Sequence, residues 1–167
     1  ADKILQQLAM DEEYELDTLL DIILDYVDVN QKEYAKKWID CLFAHFDMQT
    51  LPETNQRLRD VLCDYYSTFN KPKLAIPYLN MTLNEFPYSV QHWNELGKCY
   101  LQQEQYEKAH EAFDFALAID ENNTETLTLK AFLYSQTANI KESINYYLRL
   151  EKATEKKPPV YMALAGL

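Results

Sequence analysis

Glycine is almost missing from this chain, which has two, Gly97 and Gly166, in 167 residues. Strands joined by tight hairpins draw on glycine for turns with positive φ. Its scarcity disfavours a sheet and favours helices. Cysteine is sparse as well. Cys41, Cys63 and Cys99 are an odd number at wide spacings. No C-x-x-C or Cys/His pattern with zinc-ligand spacing occurs. That argues against a metal centre and for buried, reduced thiols in a cytosolic (cytoplasmic) protein. No run of 18 apolar residues exists, so no membrane-spanning helix is predicted, and no signal peptide is evident. Catalytic signatures are lacking too. His45, His92 and His110 are scattered, and there is no nucleophile elbow, phosphate loop or H-E-x-x-H. The sequence reads as non-enzymatic and free of cofactors.

Positive charge is short as well. Sixteen basic side chains against 27 acidic ones give a formal charge of −11. Such a chain repels phosphate backbones and anionic lipids, so nucleic acid is not expected as a partner. What is abundant is apolar content, at 47%, which suits a folded core. Thirteen tyrosines occur, several at helical spacing, where core packing is the expected role.

The most specific pattern is Trp93, Leu96, Gly97, Tyr100, Ala109, Phe113 and Ala116. It resembles the tetratricopeptide repeat, W-x₂-L-G-x₂-Y followed by a small residue and an aromatic, in a 34-residue frame. With Val90 as position 1 the unit is 90–123. Its neighbours are 124–157, with Ala131, Tyr134, Ser143 and Tyr147 in phase, and 56–89, with Leu62, Cys63, Tyr66, Ala75, Leu79 and Pro87 in phase. A further unit, 16–49, aligns through Leu19, Ile22, Ile23, Tyr26, Ala35 and Ile39 once residues 50–55 are treated as an insertion. The resemblance implies an all-α, right-handed solenoid of stacked antiparallel helix pairs. Positions 8 and 20 are small because two helices approach closely there. The large side chains of several units then make one core.

Local signals add detail. Thr50-Leu51-Pro52-Glu53 reads as a capping box with an early proline. It predicts a helix from about residue 51 to about 69, lengthened by roughly one and a half turns. Pro72 suits a helix start, whereas Pro77 predicts a bend. Residues 1–15 resemble the second helix of a preceding unit and 158–167 the opening of another. The chain therefore reads as part of a longer array with open repeat ends.

In the family the first helices line a concave groove through positions 2, 5, 6, 9, 12 and 13. Transferred here, these include Asp17, Asp21, Leu24 and Asp28; Arg57, Asp60 and Asp64; Asn94, Glu95, Lys98 and Leu101; and Glu125 and Phe132. Members that hold chaperone C-termini use a Lys/Asn/Arg clamp. At the corresponding places stand Asp60, Asp64, Glu95, Glu125 and Leu129, so the clamp is missing and its charge reversed. An acidic groove with apolar islands at Leu20, Leu24, Leu101 and Phe132 suits a basic or amphipathic protein segment. The alternative is a structural spacer, or self-association through the open repeat ends, within a larger protein.

Overall fold

The computed structural model describes residues 15–154, and every described element is a helix. In chain order they are α1 (Leu16–Asp28), α2 (Lys32–His45), α3 (Leu51–Thr54), α4 (Gln56–Thr68), α5 (Pro72–Glu85), α6 (Val90–Leu101), α7 (Tyr106–Ile119), α8 (Thr124–Gln136) and α9 (Ile140–Thr154). The expected partial elements at 1–15 and 158–167 fall outside the described residues, apart from Glu15. Where the sequence reads as one array, the contacts form two compact units that divide between Thr82 and Leu83.

From Asn55 onward the capped starts and the turns of these helices recur every 34 residues. Side chains of Asn55, Ser89 and Asn123 accept from the N–H of Leu58, His92 and Thr126, capping α4, α6 and α8. These are residue types that satisfy free amides at a helix start. The turns α1–α2, α4–α5, α6–α7 and α8–α9 each contain one left-handed residue: Asn30 (φ 54°), Asn70 (54°), Glu104 (57°) and Ala138 (56°). The next N–H then closes onto a tyrosine carbonyl. Gln31 bonds Tyr26 at 2.8 Å, Lys71 bonds Tyr66 at 2.7 Å, Gln105 bonds Tyr100 at 3.0 Å and Asn139 bonds Tyr134 at 2.9 Å. This is the Schellman closure of a helix C-terminus, here made without glycine.

In the first unit α1 packs on α2 and α4. Leu19, Leu20, Ile23, Leu42, Leu58 and Leu62 are fully buried. The helix expected over 51–69 is two helices. Asn55 has extended backbone (φ −121°, ψ 100°), and its side chain restarts the helix through the Leu58 N–H at 2.9 Å. Thr50 makes no side-chain cap; its hydroxyl donates to Asp47 Oδ2 at 2.8 Å. The separate turn α3 is held from inside by Arg59, which is 1% exposed. Its Nη1 donates to the carbonyls of Pro52 (2.9 Å) and Glu53 (3.3 Å), and its Nε donates to Thr82 Oγ1 at 3.1 Å. Helix α5 opens on Pro72, as the sequence suggests, and runs through Pro77 unbroken.

In the second unit α6 packs on α7 and α8, α7 on α8, and α8 on α9. Gly97 marks the tightest crossing. A Cβ there would lie 2.2 Å from Cε1 of Phe113, a fully buried ring. Close approach also shows in polar contacts at the small positions. Ser143 Oγ donates to the Ala131 carbonyl at 2.8 Å, and in the first unit Cys63 Sγ lies 3.9 Å from the Ala75 carbonyl. The tyrosine rings brace the hairpins: Tyr26 stacks on Tyr34, Tyr66 on Tyr78 and Tyr134 on Tyr146, with centroids 5.4, 6.1 and 5.4 Å apart.

Three stability measurements test this account. Gly97→Leu should cost about 1–3 kcal/mol or more by overpacking, read as a lowered thermal midpoint. Ala138→Gly should gain about 0.5–1 kcal/mol, because glycine adopts positive φ without the steric penalty of an L side chain, less its extra unfolded-state freedom. Arg59→Met should lose about 3 kcal/mol in chemical denaturation, since it removes the buried donor to the Pro52 carbonyl and the Thr82 hydroxyl.

Candidate partner-binding faces

The first helix of each hairpin carries the residues expected to meet a partner. In the first unit these lie on α1 and α4. Asp17 and Asp21 are one turn apart on α1, and both accept from the guanidinium of Arg57 on α4. The Nη1–Asp17 Oδ1 distance is 2.8 Å, and Nη2 meets Asp21 Oδ1. All three side chains are about half exposed or more, so each pair contributes at most about 1 kcal/mol. Asp28 and Asp64 are exposed, Asp60 and Leu24 half-buried. With Asp25 the two helices carry six aspartates against Arg57 and Arg59, a formal surplus of four negative charges. Leu20, expected as an apolar island, is fully buried in the core instead.

In the second unit the residues lie on α6 and α8. Lys98 sits between two carboxylates, 2.7 Å from Glu95 Oε1 on its own helix and 2.6 Å from Glu125 Oε1 on α8. Burial works against the charged form of Lys98. The hydrogen bonds to Glu125 and Glu95 outweigh it and hold the pKa above the ordinary lysine value. Glu125 and Phe132 are seven residues apart on α8, with Leu129 between them, and Phe132 is 47% exposed. Leu101 and Leu129 are partly buried against Ala109, Phe113 and Leu133.

Asn94 is a correction. The repeat frame placed it in the groove, but it is 1% exposed. Its Oδ1 accepts from Thr126 Oγ1 at 2.8 Å, a bond that ties α6 to α8 inside the unit. The short amide side chain reaches the neighbouring helix before it reaches solvent. Thr126 in turn lies beside the capping Asn123, 2.9 Å from its Oδ1.

Two charged residues escaped the sequence reading. Arg59 and Lys130 are each 1% exposed. Lys130 stands at position 7 of its unit, where Ile22, Leu62 and Leu96 stand in the others. A lysine at an apolar position was the available signal. Among the described residues no group of three or more His, Cys, Asp or Glu is arranged to hold a metal ion. None of their helices is long and apolar enough to cross a membrane. Cys63 and Cys99 are buried and Cys41 is half-buried. Burial raises the Cys41 pKa.

Comparison with known proteins agrees with the geometry. The tetratricopeptide repeat family profile matches residues 90–123. The general transcriptional corepressor ssn6 of Schizosaccharomyces pombe is 39% identical over 57 residues, 34% of this chain. The match spans only 5% of that relative's length. Among solved structures, MamA of MSR-1 superposes with a TM-score of 0.71 at 19% identity, covering 87% of this chain and 83% of that one. A second MamA crystal structure gives 0.70 at 18% identity, covering 91% and 85%. At that identity the likeness is one of fold. The capping asparagines and serine at 55, 89 and 123, the crossing at Gly97 and the profile match coincide on one frame: the chain carries a tetratricopeptide repeat, residues 90–123, within an all-helical repeat fold.

Proposed function

We propose that the chain is a non-catalytic protein-interaction scaffold whose first-helix faces take a basic or amphipathic segment of a partner. The carrying observation is the charge balance on α1 and α4. Of their two cations, Arg59 is buried and Arg57 is already bound to Asp17 and Asp21. The remaining surplus is uniformly negative, so a cationic segment gains and an acidic one is repelled. The second unit, taken by itself, offers an amphipathic face on α8, with Phe132 exposed two turns from Glu125. Leu24 and Leu101 contribute less, being half-buried.

Arg57 competes with any incoming cation for the same two carboxylates. Removing it should therefore strengthen binding, while neutralising carboxylates should weaken it. The test is a peptide array followed by titration with basic, neutral and acidic helical peptides. Three proteins are compared: wild type, Arg57→Gln, and the triple variant Asp28→Asn, Asp60→Asn, Asp64→Asn. These exchanges conserve shape, and melting curves check folding. At about 0.5 kcal/mol per surface carboxylate, the triple variant should lose roughly tenfold in affinity for basic peptides. Arg57→Gln should gain affinity. Binding should also weaken as salt rises past physiological strength, where the Debye length is about 8 Å. Equal retention of peptides by wild type and the triple variant at low salt would overturn this reading. It would leave the spacer or self-association role in its place.

A further inference from the structure

We propose that His110, Lys130 and Asp114 form an acid-released latch that holds α8 against α7. The latch is built around a buried ammonium. Lys130 on α8 is 1% exposed, and Nζ lies 2.5 Å from Asp114 Oδ1 and 3.2 Å from His110 Nδ1, both on α7. The same Nζ is 5.7 Å from the ring centroids of Tyr134 on α8 and Tyr146 on α9. A carboxylate, an imidazole nitrogen and two aromatic faces together replace the water that a buried cation loses.

The protonation state of His110 follows from the donors. An ammonium has hydrogens to give and no lone pair to accept with, so Nδ1 must be the acceptor and the ring neutral, with its hydrogen on Nε2. A proton added at Nδ1 would replace the hydrogen bond with an N–H aimed at a cation 3.2 Å away. The ring is also packed on Tyr134, at a centroid distance of 4.6 Å.

The charges around His110 divide in sign. Lys130 acts from α8. Asp114 and Glu107 act from α7 itself and favour the protonated ring. Glu142 and Arg149 lie on α9, where Arg149 sits 5.1 Å from the centroid of the Tyr146 ring, and both act on that tyrosine. Helix α6 meets α7 through Gly97 and Phe113, with Tyr100 and Leu101 beside them. Burial first, then Lys130, push the His110 pKa below its ordinary 6.5, and the carboxylates do not restore it.

The sign of the effect follows by linkage. The undocked state binds a proton more readily than the docked one between the two pKa values, so docking weakens as pH falls through that interval. Docking is at full strength above about pH 6.5 and weakens progressively as pH falls from there toward the lower pKa of the docked ring, in the range where histidine switches operate. Helix α8 also carries Glu125 and Phe132, so release would remove part of the proposed binding face. That consequence rests on the scaffold reading; the latch itself does not.

The experiment uses the whole chain and two readouts. The first is an NMR titration of the three histidine rings. The second compares denaturation midpoints at pH 7.5 and 5.5 for wild type and His110→Gln, whose amide keeps an acceptor near Lys130 but does not titrate. The expected result is a His110 pKa below 6.5, a wild-type midpoint that drops on acidification, and a smaller drop in the variant. A His110 ring that titrates at or above 6.5 overturns the latch, as does a variant whose midpoint falls in parallel with wild type. If the variant fails to fold, the ring titration of wild type decides alone.

Discussion

Each hairpin is closed by a tyrosine used twice. The carbonyl of Tyr26, Tyr66, Tyr100 or Tyr134 accepts the bond that ends the first helix, so the chain must pass through one left-handed residue before it turns back. Three of the rings meanwhile stack on an aromatic of the returning helix, and Tyr100 has Lys108 Nζ 5.4 Å from its centroid. Backbone closure and side-chain packing are thus fixed by the same residue. The direction of the second helix follows, and with it the depth at which small residues such as Ala109 and Gly97 can let two helices touch.

Charge is distributed by a different logic in the interior and at the surface. Inside, Arg59 and Lys130 each organise polar groups from several segments, and neither stands alone among hydrocarbon. Removing one partner of such a cluster is costly because the rest stays buried. Outside, Arg57 and Lys98 are each shared by two carboxylates, and each joins two first helices that do not follow one another in the chain. The exposed Arg57 pairs contribute little energy, yet together with the half-buried Lys98 pairs they cancel the local cations.

The frame was legible because it depends on size and spacing. Gly97 opposite Phe113, the alanines at positions 8 and 20 and the turns at 30, 70, 104 and 138 all follow from where small and large residues recur. What sequence did not reveal were competitions between neighbours. Thr50 and Asn55 are both able to cap a helix; the threonine hydroxyl donates to Asp47 and only the asparagine caps. Asn94 and Leu20 stand at positions that face the groove in the family, but here Thr126 draws the first inward and the core absorbs the second. A repeat frame gives the angle at which a side chain leaves its helix. It does not say whether a neighbouring helix intercepts it.

The Asn55–Arg59 arrangement bears on how such arrays change length. Left-handed turn residues Asn70, Glu104 and Ala138 are 34 residues apart, while Asn30 precedes Asn70 by 40. The six extra residues do not propagate into the following repeats. Asn55 resets the helix start, and Arg59 and Asp47 satisfy the polar groups that the added turn exposes. An array can therefore accept a segment between hairpins at the cost of one new cap and one internal donor. Variation in unit length becomes neutral for the register of everything downstream, so the spacing between binding surfaces is free to diverge while the scaffold that carries them does not.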